Sequence, residues 1–206
     1  MAATRAIPLI IEEKVLEEGV DIARRAGGIF TVQPLSRPDT GLIITGNEVY
    51  SGRIDDKFAP ILKKKVTAFG CRLREIRFLP DDRTRISRGI QDLLEMGVGL
   101  ILVAGGMSVD PDDVSRLAIA DAGAEDVVYG TPVLPGAMCL YGRFKEVPVL
   151  GLPACVLFYR ATVLDLLLPR VLAGERITRQ DLAALAHGGL CLNCETCRYP
   201  VCPFGK

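Results

Sequence analysis

The stretch Leu100-Ile101-Leu102-Val103-Ala104-Gly105-Gly106-Met107-Ser108 decides the fold. An unbroken apolar run this short leaves no solvated face, which is how a strand covered on both sides reads. The two glycines permit a tight turn with close backbone approach, and a helix is predicted from about Pro111 to Ala122. Outward from this unit the pattern repeats. Upstream, Leu42 to Thr45 reads as a buried strand, followed by a loop and a helix over about Lys57 to Phe69, with Gly70 where a C-cap glycine belongs. Arg72 to Phe78 alternates as a strand, and the helix Arg83 to Met96 is closed by Gly97. Downstream, Tyr129 to Leu152 is rich in Gly and Pro and holds two short strand candidates, Met138 to Tyr141 and Val147 to Leu150, read as a hairpin or sheet-edge excursion. An apolar helix over Cys155 to Leu168 packs back on the sheet, and Gln180 to Ala186 adds a short helix. Strands alternating with helices predict an α/β fold whose mostly parallel sheet is covered on both faces.

Two hundred and six residues, 49% hydrophobic and 24% charged, suit one sizeable domain with a small appendage and exclude a disordered polymer. Lys+Arg and Asp+Glu both number 25, so the chain offers no overall basic surface for nucleic acid. The longest apolar run, Ala154 to Leu172, is interrupted by Arg160, Asp165, Pro169 and Arg170 and reads as a buried helix, not a membrane span. No signal-peptide pattern opens the chain, and a cytoplasmic protein is expected. Residues 1–38 read as a separate segment: strand Ile7 to Ile11, helix Glu17 to Ala26, strand Ile29 to Val32 and a polar linker from Ser36 to Asp39. Its opening directly in a strand points to a chain cut from something longer. The main domain is expected over 39–186 and a tail over 187–206.

In an open parallel sheet, ligands bind where loops leave the C-terminal ends of the strands. Three such loops carry acids: Thr45-Gly46-Asn47-Glu48 through Ser51 to Asp55-Asp56, then Pro80-Asp81-Asp82, then Gly105-Gly106-Met107-Ser108 through Asp110 to Asp112-Asp113. On one sheet edge they would combine glycines, the hydroxyls of Thr45, Ser51 and Ser108, and several carboxylates. That mixture suits a phosphate-bearing ligand held through Mg²⁺, the acids binding the metal and the glycine loop meeting the anion. Asp56, Asp82, Asp110 and Asp112 equally suit helix caps or first-turn charges.

Thr45-Gly46-Asn47-Glu48-Val49, then Asp55-Asp56, then Gly105-Gly106-Met107-Ser108 with Pro111-Asp112-Asp113-Val114, together resemble the molybdopterin-binding domain family, over about residues 40–172. That family includes molybdopterin adenylyltransferases, molybdenum insertases and the related competence-damage proteins. Pro135-Gly136 and Gly151-Leu152-Pro153 fall where the insertase branch carries its proline-glycine and Leu-Pro-Gly-Asn-Pro segments. The resemblance implies a three-layer α/β/α sandwich binding molybdopterin at this edge, with Mg²⁺ and ATP as possible co-substrates. It implies Thr45, Gly46, Ser51, Gly105, Gly106, Ser108, Pro135, Gly136 and Pro153 as ligand contacts. Asp55, Asp112 and Asp113 become the candidate acids for Mg²⁺ or chemistry. A dimer or trimer, and molybdo- or tungsto-enzymes that receive cofactor, are implied as partners. The sequence departs from the pattern at Ala154-Cys155, where the insertases have Gly-Asn, at Ala137, where a lysine is expected, and at Met107-Ser108, where the adenylyltransferases have Thr-Gly. These losses favour binding over turnover, because catalysis needs the tighter positioning. A cofactor carrier or sensor is therefore the alternative to an enzyme, and a general nucleotide-binding domain a third reading.

Cys191-x-x-Cys194-x-x-Cys197-x₄-Cys202-Pro203 is the strongest local chemical signal. Cys-x-x-Cys lets two thiolates from one turn reach the same metal, and the run with its trailing proline partly matches ferredoxin-like iron–sulfur loops. Zinc in a Cys₄ site is the competitor. His187 reads as solvated, and Cys155 as a small apolar residue at a helix start more than a reactive thiol.

Overall fold

The computed structural model describes residues 10–27, 32–108, 110 and 113–205 and divides into two units, 1–34 and 35–206. In the first unit, α1 (Glu13–Arg25) begins earlier than the Glu17 start predicted, and Arg24 and Arg25 occupy its last turn. The strand expected at Ile7 to Ile11 lies mostly, and that at Ile29 to Val32 almost wholly, outside the described residues.

The second unit runs β1 (Asp39–Thr45), α2 (Asn47–Tyr50), α3 (Phe58–Thr67), β2 (Arg72–Leu79), α4 (Arg83–Glu95), β3 (Leu100–Ala104), α5 (Ser115–Asp121), β4 (Glu125–Tyr129), β5 (Leu140–Phe144), β6 (Val147–Leu152), α6 (Val163–Leu172) and α7 (Arg179–Ala184). The six strands form one sheet in the order β2-β1-β3-β6-β5-β4. β2, β1, β3 and β6 are mutually parallel, whereas β5 runs antiparallel to both β6 and β4. The period of two along a strand sorts the core into halves. Leu42, Ile44, Leu100, Leu102 and Leu150 face α3, α6 and α7, while Ile43, Ile101, Val103 and Val149 face α4 and α5. This is a three-layer α/β/α sandwich with a mostly parallel sheet.

Local chemistry sets several boundaries. Gly70 and Gly97 close α3 and α4 at φ +80° and +75°. The apolar helix predicted from Cys155 starts later: Ala154–Leu157 is a single 3₁₀ turn, and α6 begins only after Thr162, whose side chain forms a capping box with Asp165. α5 starts at Ser115, and Pro111 and Asp112, the predicted start, lie outside the described residues. The hairpin strand predicted from Met138 is shifted to Leu140, because Cys139 N–H turns back to the Gly136 carbonyl (3.0 Å). Among the described residues, no helix is long and apolar enough to cross a membrane.

Candidate functional site at the carboxyl edge of the sheet

Strand register fixes which loops meet. Thr45 pairs with Leu79, Ile44 with Ala104 and Ala104 with Leu152, so the loops after β1, β2, β3 and β6 leave the same edge. β5 is antiparallel, with Leu140 opposite Gly151, so the segment entering it, including Pro135 and Gly136, arrives at that edge as well. The predicted crowding of turns around one edge is what the topology produces.

At its centre lies the glycine loop. Gly105 donates its N–H to the Leu152 carbonyl (3.2 Å), tying the loop to the end of β6. Gly105 and Gly106 have φ +96° and +59°, and each is hemmed in. A Cβ on Gly105 would stand 2.6 Å from the Thr45 carbonyl oxygen, and one on Gly106 2.5 Å from Ser115 Oγ. Beneath the loop, the buried hydroxyls of Thr45 and Ser115 hydrogen-bond to each other at 3.1 Å. Ser108 is exposed and donates its N–H to Asp113 Oδ2 at 2.7 Å, folding the loop onto its own carboxylate.

The acids divide by role. Asp56 accepts the N–H of Phe58 (2.7 Å) and Ala59, and Asp82 that of Arg85 (2.8 Å), so both cap helices. Asn47 and Asp81 exchange backbone-to-side-chain bonds of 3.0 and 3.2 Å, joining the β1 loop to the β2 loop. Asp55 is exposed in the turn before α3, Asp113 is half-buried, and Asp112 lies outside the described residues. Ser51 is turned onto its own segment, donating to the Glu48 carbonyl (3.3 Å), and Gly46, at φ +143°, opens α2. Among the described residues, no three His, Cys, Asp or Glu side chains gather tightly enough to hold a single ion. A Mg²⁺ ion does not require such a cage, since one or two carboxylates plus ligand phosphates suffice.

Several contributors were not legible in the sequence. Arg85 and Arg116 lie in the first turns of α4 and α5 at this edge, each 4.9 Å from the centre of a tyrosine ring, Tyr50 and Tyr129. Arg85 also donates to the Tyr50 hydroxyl (2.8 Å), and the Tyr129 hydroxyl donates to the Met107 carbonyl (2.7 Å). Their planar guanidinium groups offer an anion what the carboxylates cannot. Ser115 was missed too, although a hydroxyl opening the helix after a glycine loop is a recognisable signal.

Beside the glycine loop, Pro135, Gly136, Pro153 and Cys155 line one pocket together with Leu190 and Cys191 of the tail. Burial raises the Cys155 thiol pKa, opposed by backbone N–H groups, including that of Gly136. Cys139, fully buried nearby, is pushed up to about 12 by the same desolvation. The tail is packed on the α6 side of the sheet. Phe204 is buried there, and the Tyr199 hydroxyl donates to the Asp165 carbonyl (2.8 Å). Cys191, Cys197 and Cys202 are half-buried, while Cys194 and His187 are exposed.

Comparison with known proteins agrees with this fold. The family model described as "Probable molybdopterin binding domain" matches residues 41–173. A molybdopterin molybdenumtransferase of Synechococcus elongatus is 26% identical over 147 residues, 68% of this chain and 36% of the relative. A CinA-like protein of Mycobacterium tuberculosis is 31% identical over 80 residues, 39% of this chain and 19% of the relative. The chain thus spans little more than a third of those relatives' length, or less. Among solved structures, the molybdopterin biosynthesis enzyme MoaB of Thermus thermophilus superposes with a TM-score of 0.54 at 17% identity, over 67% of this chain and 98% of that one. A MogA structure gives 0.55 at 17% identity, over 66% and 98%. The edge with its glycine loop falls within the matched residues, and the chain belongs to the molybdopterin-binding domain family of molybdenum-cofactor biosynthesis.

Proposed function

We propose that the protein binds molybdopterin at the carboxyl edge of its sheet and acts in molybdenum-cofactor biosynthesis, adenylylating molybdopterin or inserting metal in a Mg²⁺-dependent step. The observation that carries this reading is the Gly105–Gly106 turn, seated so closely on Thr45 and Ser115 that only bare backbone fits. A turn held this way presents its peptide groups to a phosphate without reorganising. Arg85 and Arg116 supply positive charge, and Asp113, with Asp55 and Asp112, supplies carboxylates for Mg²⁺ bridged to the ligand phosphate or to ATP. Gly46, Ser51, Ser108, Pro135, Gly136 and Pro153 complete the contact surface, and Thr45 supports the glycine loop from beneath. The four tail cysteines hold a metal, either an iron–sulfur cluster or zinc. The protein works in the cytoplasm as a dimer or trimer and passes cofactor towards molybdo- or tungsto-enzymes. Titrating the protein with molybdopterin, then adding ATP and Mg²⁺ or Mg²⁺ and molybdate, tests the proposal. Saturable binding followed by an adenylylated or metallated pterin is expected; no binding refutes it.

One observation favours a second reading, a non-catalytic carrier. Asp113 already accepts the Ser108 N–H at 2.7 Å, so its carboxylate serves the shape of the loop. Tight binding without product in the same titration would establish the carrier.

A further inference from the structure

All four tail cysteines line a single cavity of about 200 Å³, together with Tyr199 and Phe204. On that scale one water-sized site takes about 10–15 Å³. A zinc ion held by four thiolates leaves no such interior: with Zn–S bonds of about 2.3 Å, tetrahedral geometry sets the sulfurs about 3.8 Å apart. Four cysteines lining one such space, in a Cys-x-x-Cys-x-x-Cys run with a proline after the last, match the other Cys₄ group, a polynuclear iron–sulfur core whose sulfides and irons fill the middle.

The wall of this cavity is shared with the proposed pterin site. Cys191 lines both the cysteine cavity and the pocket formed by Pro135, Gly136 and Pro153. Its N–H donates to the Leu134 carbonyl at 2.7 Å, and the Leu134 N–H donates to the Gly189 carbonyl at 2.8 Å. These two bonds clamp the residue just before Pro135 to the first cysteine. Gly189 is seated so closely that a Cβ would stand 2.6 Å from the Pro132 carbonyl oxygen, so the junction has little slack.

We infer that the tail cysteines hold an iron–sulfur cluster that braces the Leu134–Gly136 wall of the ligand pocket, so that cluster loading sets how firmly this wall is held and how tightly the pocket binds its ligand. The inference rests on the reading of the tail as a metal site and of this edge as the pterin site. Cys191 is the coupling residue, since it offers its thiol to the cluster and its N–H to the wall. Loss of the cluster frees the cysteine side chains and leaves the Cys191–Leu134 bonds to fray with the tail.

The test uses the full chain, purified anaerobically, then either reconstituted with iron and sulfide or stripped with chelator. Iron and acid-labile sulfide, together with broad visible absorbance, are expected in the loaded form. Replacing the exposed Cys194 by Ala should abolish that absorbance without unfolding the chain, whereas Cys71→Ala, outside the tail, should retain it. Hydrogen exchange at the Leu134 and Cys191 amides should slow at least tenfold on loading, and molybdopterin affinity should rise in parallel. Stoichiometric zinc with no uptake of iron and sulfide on reconstitution overturns the cluster. A loaded cluster with unchanged exchange at Leu134 and Cys191 overturns the bracing. Slowed exchange without molybdopterin binding in either form upholds the bracing and refutes only the pterin assignment.

Discussion

Replacing Gly106 by alanine tests the seating of the glycine loop most directly. At φ +59° an L-residue is strained by about 1–2 kcal/mol, and the added Cβ would stand 2.5 Å from Ser115 Oγ and 3.2 Å from Thr45 Oγ1. Overpacking in a well-filled site typically costs about 1–3 kcal/mol more, so Gly106→Ala should destabilise the fold by about 2–5 kcal/mol. The hydroxyl can be removed separately. Ser115→Ala breaks a buried hydroxyl pair of 3.1 Å and should cost about 1–2 kcal/mol by itself. In the double variant the closest obstacle is gone, and the nearest remaining atoms, Ser115 Cβ and Thr45 Oγ1, both stand at 3.2 Å. The two changes should then couple, the double variant being more stable by about 1–3 kcal/mol than the sum of the single losses predicts. Urea unfolding of the four proteins measures this cycle. Additivity within about 0.5 kcal/mol would mean that Gly106 does not sit against Ser115, and the pre-shaped anion loop would fall with it.

Asp113→Ala removes the acceptor of the Ser108 N–H and should weaken molybdopterin binding by about tenfold, the equivalent of about 1.4 kcal/mol; titration that finds wild-type affinity would show that the loop keeps its shape without this carboxylate. Asp181 is held at about 2 by hydrogen bonds from the Thr178 side chain and backbone, reinforced by Arg170. Its folded value lies below the ordinary carboxylate range, so its contribution is present above about pH 4 and lost as pH falls towards 2. Asp181→Asn should therefore lower stability at pH 6 by about 1 kcal/mol and change it little at pH 2, which denaturation at the two pH values will show. Burial pushes Cys139 up to about 12, and Cys194 is exposed. In the folded, cluster-free protein, iodoacetamide should modify Cys194 within minutes and spare Cys139; mass spectrometry finding the reverse order would contradict the burial that defines this core.

The parts of the fold legible in the sequence are those whose side chains face one environment throughout. β3 is apolar at every position because helices cover both its faces, and the Leu42-Ile43-Ile44 centre of β1 is apolar for the same reason. β4 escaped notice because it lies at the sheet edge, begins with Glu125 and Asp126, and slips register where Asp126 takes φ +53°. Its alternation is broken just where a strand pattern would be sought. The late start of α6 follows from Thr162 and Asp165, a capping box hidden inside an apolar run that read as one long helix.

For the site, the sequence marks glycines and carboxylates but not their partners. The contacts that give the edge its chemistry join residues far apart in the chain: Thr45 with Ser115, Asn47 with Asp81, Tyr50 with Arg85. Each partner alone is an unremarkable polar residue near a helix start. Only the strand order β2-β1-β3 makes them neighbours, because β1 sits between strands that follow it in the chain. The tail follows the same logic. Its cysteine spacing is plain in the sequence, but what ties the tail to the pocket of Pro135 and Gly136 is a pair of backbone hydrogen bonds between Leu134 and the segment Gly189–Cys191. No side-chain pattern encodes them. They exist because β5 is antiparallel, which returns the Pro135 loop to the carboxyl edge where the tail is docked. Reversing that one strand would send the proline-glycine segment to the far edge of the sheet, and the tail and the Pro135 pocket would no longer share a wall.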